Sequence, residues 1–185
     1  MPTLLKPSTH MVRMRDGISL ATDVYQRDVR TVKSAVLVRT PYSKGFPTFN
    51  IEPIIDEGYA LVIQDCRGQY SSEGNYEPLL VDARSSVDGV EINDATDTVE
   101  WLIAQEWCSG KVGMFGVSAY GSTVWGAAIG GAPILTGIPL ATGSIFGGFG
   151  FYTTGVPQLD VLLLWSAGII GRPPTTENEL SRYSG

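Results

Sequence analysis

Ser118 is the residue of this sequence best placed to do chemistry. It lies in Lys111–Gly121, K-V-G-M-F-G-V-S-A-Y-G. A short apolar run leads into a tight, glycine-bounded turn with one serine at its tip, and small residues able to begin a helix follow. That is the pattern of a nucleophile elbow, which offers a serine hydroxyl for acyl transfer. Its neighbours must be small because the backbone crowds around a strained residue. The helix start behind the serine supplies N–H groups and partial positive charge where an oxyanion would form. The general spacing is G-x-S-x-G. Here the second glycine comes one residue late, as Gly116-Val117-Ser118-Ala119-Tyr120-Gly121. The same residues also suit a serine that caps an ordinary strand-to-helix turn.

A serine hydroxyl needs a base to take its proton at neutral pH. The usual chain order on such a scaffold is serine, acid, histidine. The single histidine, His10, precedes the serine and reads as a solvated surface residue. Asp160 lies downstream, in a segment that reads as helical rather than as a core strand. Asp65 and Arg67 read as a turn and an ion pair, and Tyr42, after Pro41, reads on its own as a packing residue. Asp82, Asp88, Glu91, Asp94 and Asp97 fit no calcium-loop spacing, and acids at a helix start are expected on dipole grounds. Cys66 and Cys108 stand far apart without companion histidines, so they read as two buried thiols and not a zinc site. Gly143–Gly150 lacks the Lys-Ser/Thr of a phosphate loop. Neither metal nor cofactor is called for.

The elements that must position Ser118 follow from the apolar pattern. Met11–Met14 and Ile18–Tyr25 flank Asp16-Gly17 and predict an antiparallel hairpin. Ser34–Arg39 and Ala60–Gln64 are short apolar runs that read as central strands, with a weak helix over Asn50–Glu57 between them. A polar loop runs from Asp65 to about Pro78, and Leu79–Ile92 reads as an irregular loop or insertion. A helix is expected to open at Asn93/Asp94, acids in its first turn, and to stop at Cys108-Ser109-Gly110. The strand Val112–Phe115, the helix Tyr120–Ile129, the strand Ile134–Leu140 and an apolar helical segment Leu159–Ile170 complete the series. The tail from Arg172 to Gly185 reads as a cut end. This alternation predicts an α/β protein with a mainly parallel sheet. Sites in such sheets lie beyond the carboxyl ends of the strands. The loops carrying Tyr42, Asp65 and Ser118 all fall there.

Composition bounds the possibilities. The chain has 185 residues, 43% of them hydrophobic and 17% charged, with a net charge of −6. That is globular, and it argues against nucleic acid and anionic membranes as partners. No charged residue occurs from Val112 to Leu159. Glycines and prolines break that run well short of a membrane span, so it predicts strand–helix–strand structure buried on both sheet faces. The N-terminus has no apolar core long enough for a secretory signal, which points to a cytoplasmic protein.

Several motifs in order then resemble one family. Met14–Tyr25 (M-R-D-G-I-S-L-A-T-D-V-Y), Val38–Lys44 (V-R-T-P-Y-S-K), Gly58–Gly68 (G-Y-A-L-V-I-Q-D-C-R-G) with Ser72–Gly74, Asp97–Leu102 with Glu106–Gly110, and Val112–Ser118 are similar to the N-terminal part of the cocaine-esterase and X-prolyl dipeptidyl-peptidase family of α/β-hydrolases. The family's turn resembles G-x-S-Y-x-G, which accounts for the late Gly121; Ala119 stands where tyrosine is usual. The resemblance implies Ser118 as nucleophile, with the Tyr42 hydroxyl and the Ala119 N–H as oxyanion donors. It places Trp165 at an aromatic wall of the acyl pocket. It also implies residues 1–142 as the N-terminal part of the hydrolase core, 143–185 as the start of a helical cap, and an acid and histidine beyond Gly185. The expected activity is hydrolysis of a small-molecule ester or related acyl compound through an acyl-enzyme. An X-Pro peptidase, an amino-acid ester acylase, and a non-catalytic binding relative, if the chain is naturally this short, stay open. So does the oligomeric state.

Overall fold

The computed structural model describes residues 5–45, 47, 49–76, 90–140, 152–153, 156–157, 159 and 163. Its main body is a six-stranded mixed sheet in the order β1-β2-β4-β3-β5-β6. β1 (Ser8–Arg13) and β2 (Ser19–Tyr25) form the N-terminal hairpin, in register from Arg13↔Ser19 to Ser8↔Val24. Gly17 closes its turn at φ 93°, a value that suits glycine. β2 runs antiparallel to β4 (Ala60–Asp65). From there β4, β3 (Lys33–Thr40), β5 (Cys108–Val117) and β6 (Thr136–Leu140) are all parallel.

The helices cover both faces. α1 (Glu52–Asp56) has Pro53 in its first turn, where a missing N–H costs nothing, and Gly58 follows it at φ 87°. α2 (Val90–Ile103) and α3 (Ala119–Ile129) pack on the opposite face. Alternate residues of β3 explain the two cores. Leu37 faces Val99, Leu102, Met114 and Val124, whereas Val38 faces Ile55, Leu61 and Ile63. Burying a leucine such as Leu37 or Leu102 is worth about 1.5–3 kcal/mol, so the sheet is held from both sides.

Four expectations need correction. α2 starts at Val90 and not at Asn93, so Asp94 and Asp97 sit inside the helix and serve arginines instead of its N-terminus. Cys108 begins β5 rather than stopping the helix, because it pairs with Lys33 of β3. β6 starts at Thr136, after a turn at Ala132–Leu135. β6 is also not buried on both faces: Ile138 and Leu140 are half exposed, since among the described residues it is the last strand of the sheet. A small antiparallel pair, β7 (Tyr152–Thr153) with β8 (Val156–Pro157), was not foreseen in that glycine-rich stretch. Residues 159 and 163 are helical, while the rest of the expected Leu159–Ile170 helix and the boundary at 142/143 lie outside the described residues. No helix among the described residues is long and apolar enough to cross a membrane.

Candidate active site

The parallel order β4-β3-β5 brings three loops to one edge of the sheet. At the end of β5 the chain turns sharply through Ser118, whose backbone takes φ 60°, ψ −127°. An L-residue held there stores about 1–3 kcal/mol and stays only when its surroundings impose it. Those surroundings are visible. The Ser118 N–H donates to the Leu140 carbonyl at 3.0 Å, and the Ser118 carbonyl accepts from the Gly121 and Ser122 N–H groups at 2.9 and 3.2 Å. Gly116 lets the head of α3 close on the strand, because a Cβ there would lie 2.6 Å from the Gly121 nitrogen and overlap the Tyr120 carbonyl. The Ser118 side chain makes no capping hydrogen bond to α3, which removes the reading of an ordinary cap. The Ala119 and Tyr120 N–H groups open the helix, where no intrahelical acceptor can reach them.

Tyr42 follows β3 on the neighbouring loop. Its ring meets the Tyr120 ring edge-on, with centroids 5.5 Å apart and planes at 69°. Tyr120, the residue after Ala119, is buried. The ring one position after Ala119 thus stands against Tyr42. The Tyr42 N–H donates to Thr40 Oγ1 at 2.9 Å. Ser43 is left-handed at φ 97°, and the next N–H, of Lys44, donates to Asp65 Oδ1 at 2.6 Å. Asp65 ends β4 directly opposite Thr40, and its other oxygen accepts from the Ser71 N–H at 3.3 Å. Burial pushes the Asp65 carboxyl up to about 6, against the opposing pull of those amides and of Lys44. The Lys44 ammonium turns instead to Asp23 of β2, 3.0 Å away, and Asp23 also accepts from the Thr9 hydroxyl at 2.6 Å.

Behind these loops lies a buried polar lattice. Arg67 donates to both oxygens of Asp94, at 2.9 Å through Nε and 2.6 Å through Nη2, and pairs with Asp16 at 2.7 Å. Hydrogen bonds from Arg67 hold the Asp16 carboxyl below the usual range, and those to Asp94 and Asp16 raise the Arg67 guanidinium above its own. Arg39, fully buried, donates to Gln64 Oε1 at 2.7 Å and stands 3.7 Å from Asp94. Gln64 passes its amide proton to Thr22 at 3.0 Å. The reading of Asp65 and Arg67 as turn and ion-pair residues holds: Arg67 makes the ion pairs, and Asp65 braces turns through the backbone amides of Lys44 and Ser71. Sequence reasoning missed Lys44, Asp23 and the strain at Ser43. The available signal was an acid in the middle of β2, every residue of which after Ser19 is buried.

The other candidates are dispersed. His10 lies on β1, with its ring 5.4 Å from that of Trp101, four strand spacings from β5 or roughly 19 Å. That distance excludes it as base to Ser118. Asp97 binds Arg15 at 2.6 Å. Trp165, Asp160, Asp82, Asp88 and the Gly143–Gly150 stretch lie outside the described residues, as does the Glu91 side chain. Cys66 and Cys108 are buried and form no disulfide.

Comparisons with known proteins agree with this architecture. The model of a family described as X-Pro dipeptidyl-peptidase (S15 family) matches residues 16–183. Cocaine esterase of Rhodococcus sp. (strain MB1 Bresler) is 39% identical over 169 residues, which are 86% of this chain and 28% of that protein. A solved alpha-amino acid ester hydrolase is 26% identical with a TM-score of 0.74, over 91% of this chain and 30% of the other. A CocE/NonD family hydrolase from Staphylococcus aureus, 20% identical, shares the fold at a TM-score of 0.75, over 97% of this chain and 35% of its own. The chain thus spans about a third or less of the length of these relatives.

Proposed function

The chain belongs to the X-Pro dipeptidyl-peptidase (S15) family of α/β-hydrolases, and from that premise we propose that it carries the nucleophile and oxyanion donors of a serine hydrolase acting on carboxylic esters or related acyl compounds. The single observation that carries the reading is the backbone of Ser118, held at φ 60°, ψ −127° with a side chain that caps nothing. Strain of that kind, at a strand end facing a helix start, has a use when the hydroxyl must stand clear to attack.

In this reading Ser118 Oγ adds to the acyl carbon and gives its proton to a base. The carbonyl oxygen becomes an oxyanion held by the Ala119 N–H and the Tyr42 hydroxyl. Collapse expels the alcohol, which takes the proton back, and leaves an acyl-Ser118 ester. Water, deprotonated by the same base, then releases the acid and restores the serine. His10 is too distant to serve, so the base and its supporting acid belong to residues outside this sequence. Residues 1–142 act as the nucleophile-bearing part of the hydrolase core. Residues 143–185 begin a cap that brings Trp165 to the acyl pocket. The substrate is a small molecule.

The test uses the protein at its natural length. Ser118→Ala should lower kcat on a p-nitrophenyl ester by about 10³-fold or more without unfolding the protein. A fluorophosphonate should add one covalent group, on Ser118. Undiminished turnover in the alanine variant, or label on another residue, refutes the assignment. Amino-acid esters and X-Pro anilides, assayed beside simple esters, separate esterase from acylase and peptidase. Simple esters are expected to lead, because the 39% identity is to an esterase.

A further inference from the structure

Asp65 is almost completely buried, at 1% exposure, yet among the described residues no arginine or lysine side chain forms an ion pair with it. Its short contacts are two backbone N–H groups from two loops, Lys44 at 2.6 Å and Ser71 at 3.3 Å. The nearby ammonium, on Lys44 itself, is committed to Asp23. A buried carboxylate without a side-chain counter-charge is an expensive way to close a turn. What it closes is the turn that carries Tyr42. Upstream the Tyr42 N–H is fixed to Thr40 Oγ1, downstream the Lys44 N–H is fixed to Asp65, and between them Ser43 is forced to φ 97°. A left-handed serine relaxes unless both flanks are braced. The braced turn sets the Tyr42 ring edge-on to Tyr120, at the head of the helix behind Ser118.

We propose that Asp65 is a positioning residue for the Tyr42 hydroxyl, holding through the Lys44 amide the turn that aims Tyr42 at the developing oxyanion. The inference rests on Tyr42 being an oxyanion donor. The carboxylate suits the task because it offers lone pairs to both amides at once. An asparagine in its place offers one oxygen and turns an NH₂ toward the second donor.

A double-mutant cycle in the protein at its natural length tests it. Tyr42→Phe should lower kcat by about 10²–10³-fold, the cost of one oxyanion donor. Asp65→Asn should lower kcat by about 10–100-fold with KM changed less than about twofold, as misplacement by a fraction of an ångström to 1 Å does. In the double variant the second loss should vanish, because a misaimed ring without its hydroxyl has nothing left to misaim. Losses that multiply, or wild-type kcat in Asp65→Asn, overturn the proposal and leave the reading of Tyr42 intact. Wild-type kcat in Tyr42→Phe overturns that reading, and the proposal with it. Should Asp65→Asn not fold, Ser43→Gly slackens the same turn with the carboxylate in place. It should lower kcat and show the same non-additivity with Tyr42→Phe; wild-type kcat in that variant overturns the proposal.

Discussion

At the scale of single residues, the site is built from strain and burial more than from charge. Gly116 has a steric reason to be glycine, and Ser118 and Ser43 occupy backbone regions that side chains avoid. Asp65 carries the electrostatic counterpart of that strain. Its ordinary carboxyl value is 3.8, and burial moves it to about 6 in the fold, with Lys44 and Asp23 the charged groups acting on it. Between those values the folded protein still holds a proton that the unfolded chain has released. The stability this proton contributes is complete below about pH 4 and is lost as pH rises through 6. The two-unit difference corresponds to about 3 kcal/mol. Urea unfolding of wild type and Asp65→Asn at pH 4 and pH 7 should therefore show the wild type losing about 2 kcal/mol relative to the variant over that range. A constant difference would mean that Asp65 ionises at its ordinary value. The turn through Ser118 was legible in the sequence because Gly116 and Gly121 leave a spacing, whereas the role proposed for Ala119 came only through the resemblance. Tyr42 was legible only through the resemblance of its motif. The role argued for Asp65 left no local trace, since its partners are backbone amides of Lys44 and Ser71, which any residue type could supply.

At the scale of elements, α2 is tied to the sheet by its own acids. Asp94 lies one turn into the helix and is reached by Arg67 from the loop after β4 and by Arg39 from β3. This explains why the helix start was misjudged. Asn93 and Asp94 look like a cap when read alone. The residue that recruits Asp94 stands 27 positions earlier, beyond any local pattern. The strands were easier to read, because each is an apolar run bounded by turn residues. Even so, β5 extends back to Cys108 through pairing with Lys33, a long-range contact with no local mark. The two ion pairs of α2 should differ sharply in worth. Asp94→Asn removes the carboxylate that Arg39 and Arg67 share in the buried lattice, and urea titration should show a loss of about 3–5 kcal/mol. Arg15→Met, at the exposed Asp97 pair, should cost less than about 1 kcal/mol. Equal losses would mean that the lattice behind the site is solvated.

At the scale of the whole molecule, the described sheet has two edge strands, β1 with mostly polar exposed side chains and β6 with apolar ones. Beyond β5, the exposed side chains of Ile138 and Leu140 lie on the outermost strand, with Val117 beside them. Apolar edges of this kind invite pairing with other chains. The 185-residue polypeptide, made by itself, should self-associate, and Ile138→Lys should reduce the association seen by light scattering. A monodisperse monomer at high concentration would contradict this. The strand order also sets a clock. β3 lies between β4 and β5, but β4 follows it within about twenty residues whereas β5 begins about 70 residues after β3 ends. At about 5–20 residues per second the ribosome needs roughly 3–14 s to deliver that second neighbour. For those seconds one flank of β3, with Leu37 and Val38 on it, waits unpaired in a nascent chain. Of the three loops at this edge the turn at Ser118 is translated last, and the Leu140 carbonyl that braces it follows about twenty residues later, so its strain can be imposed only after β6 has joined the parallel sheet.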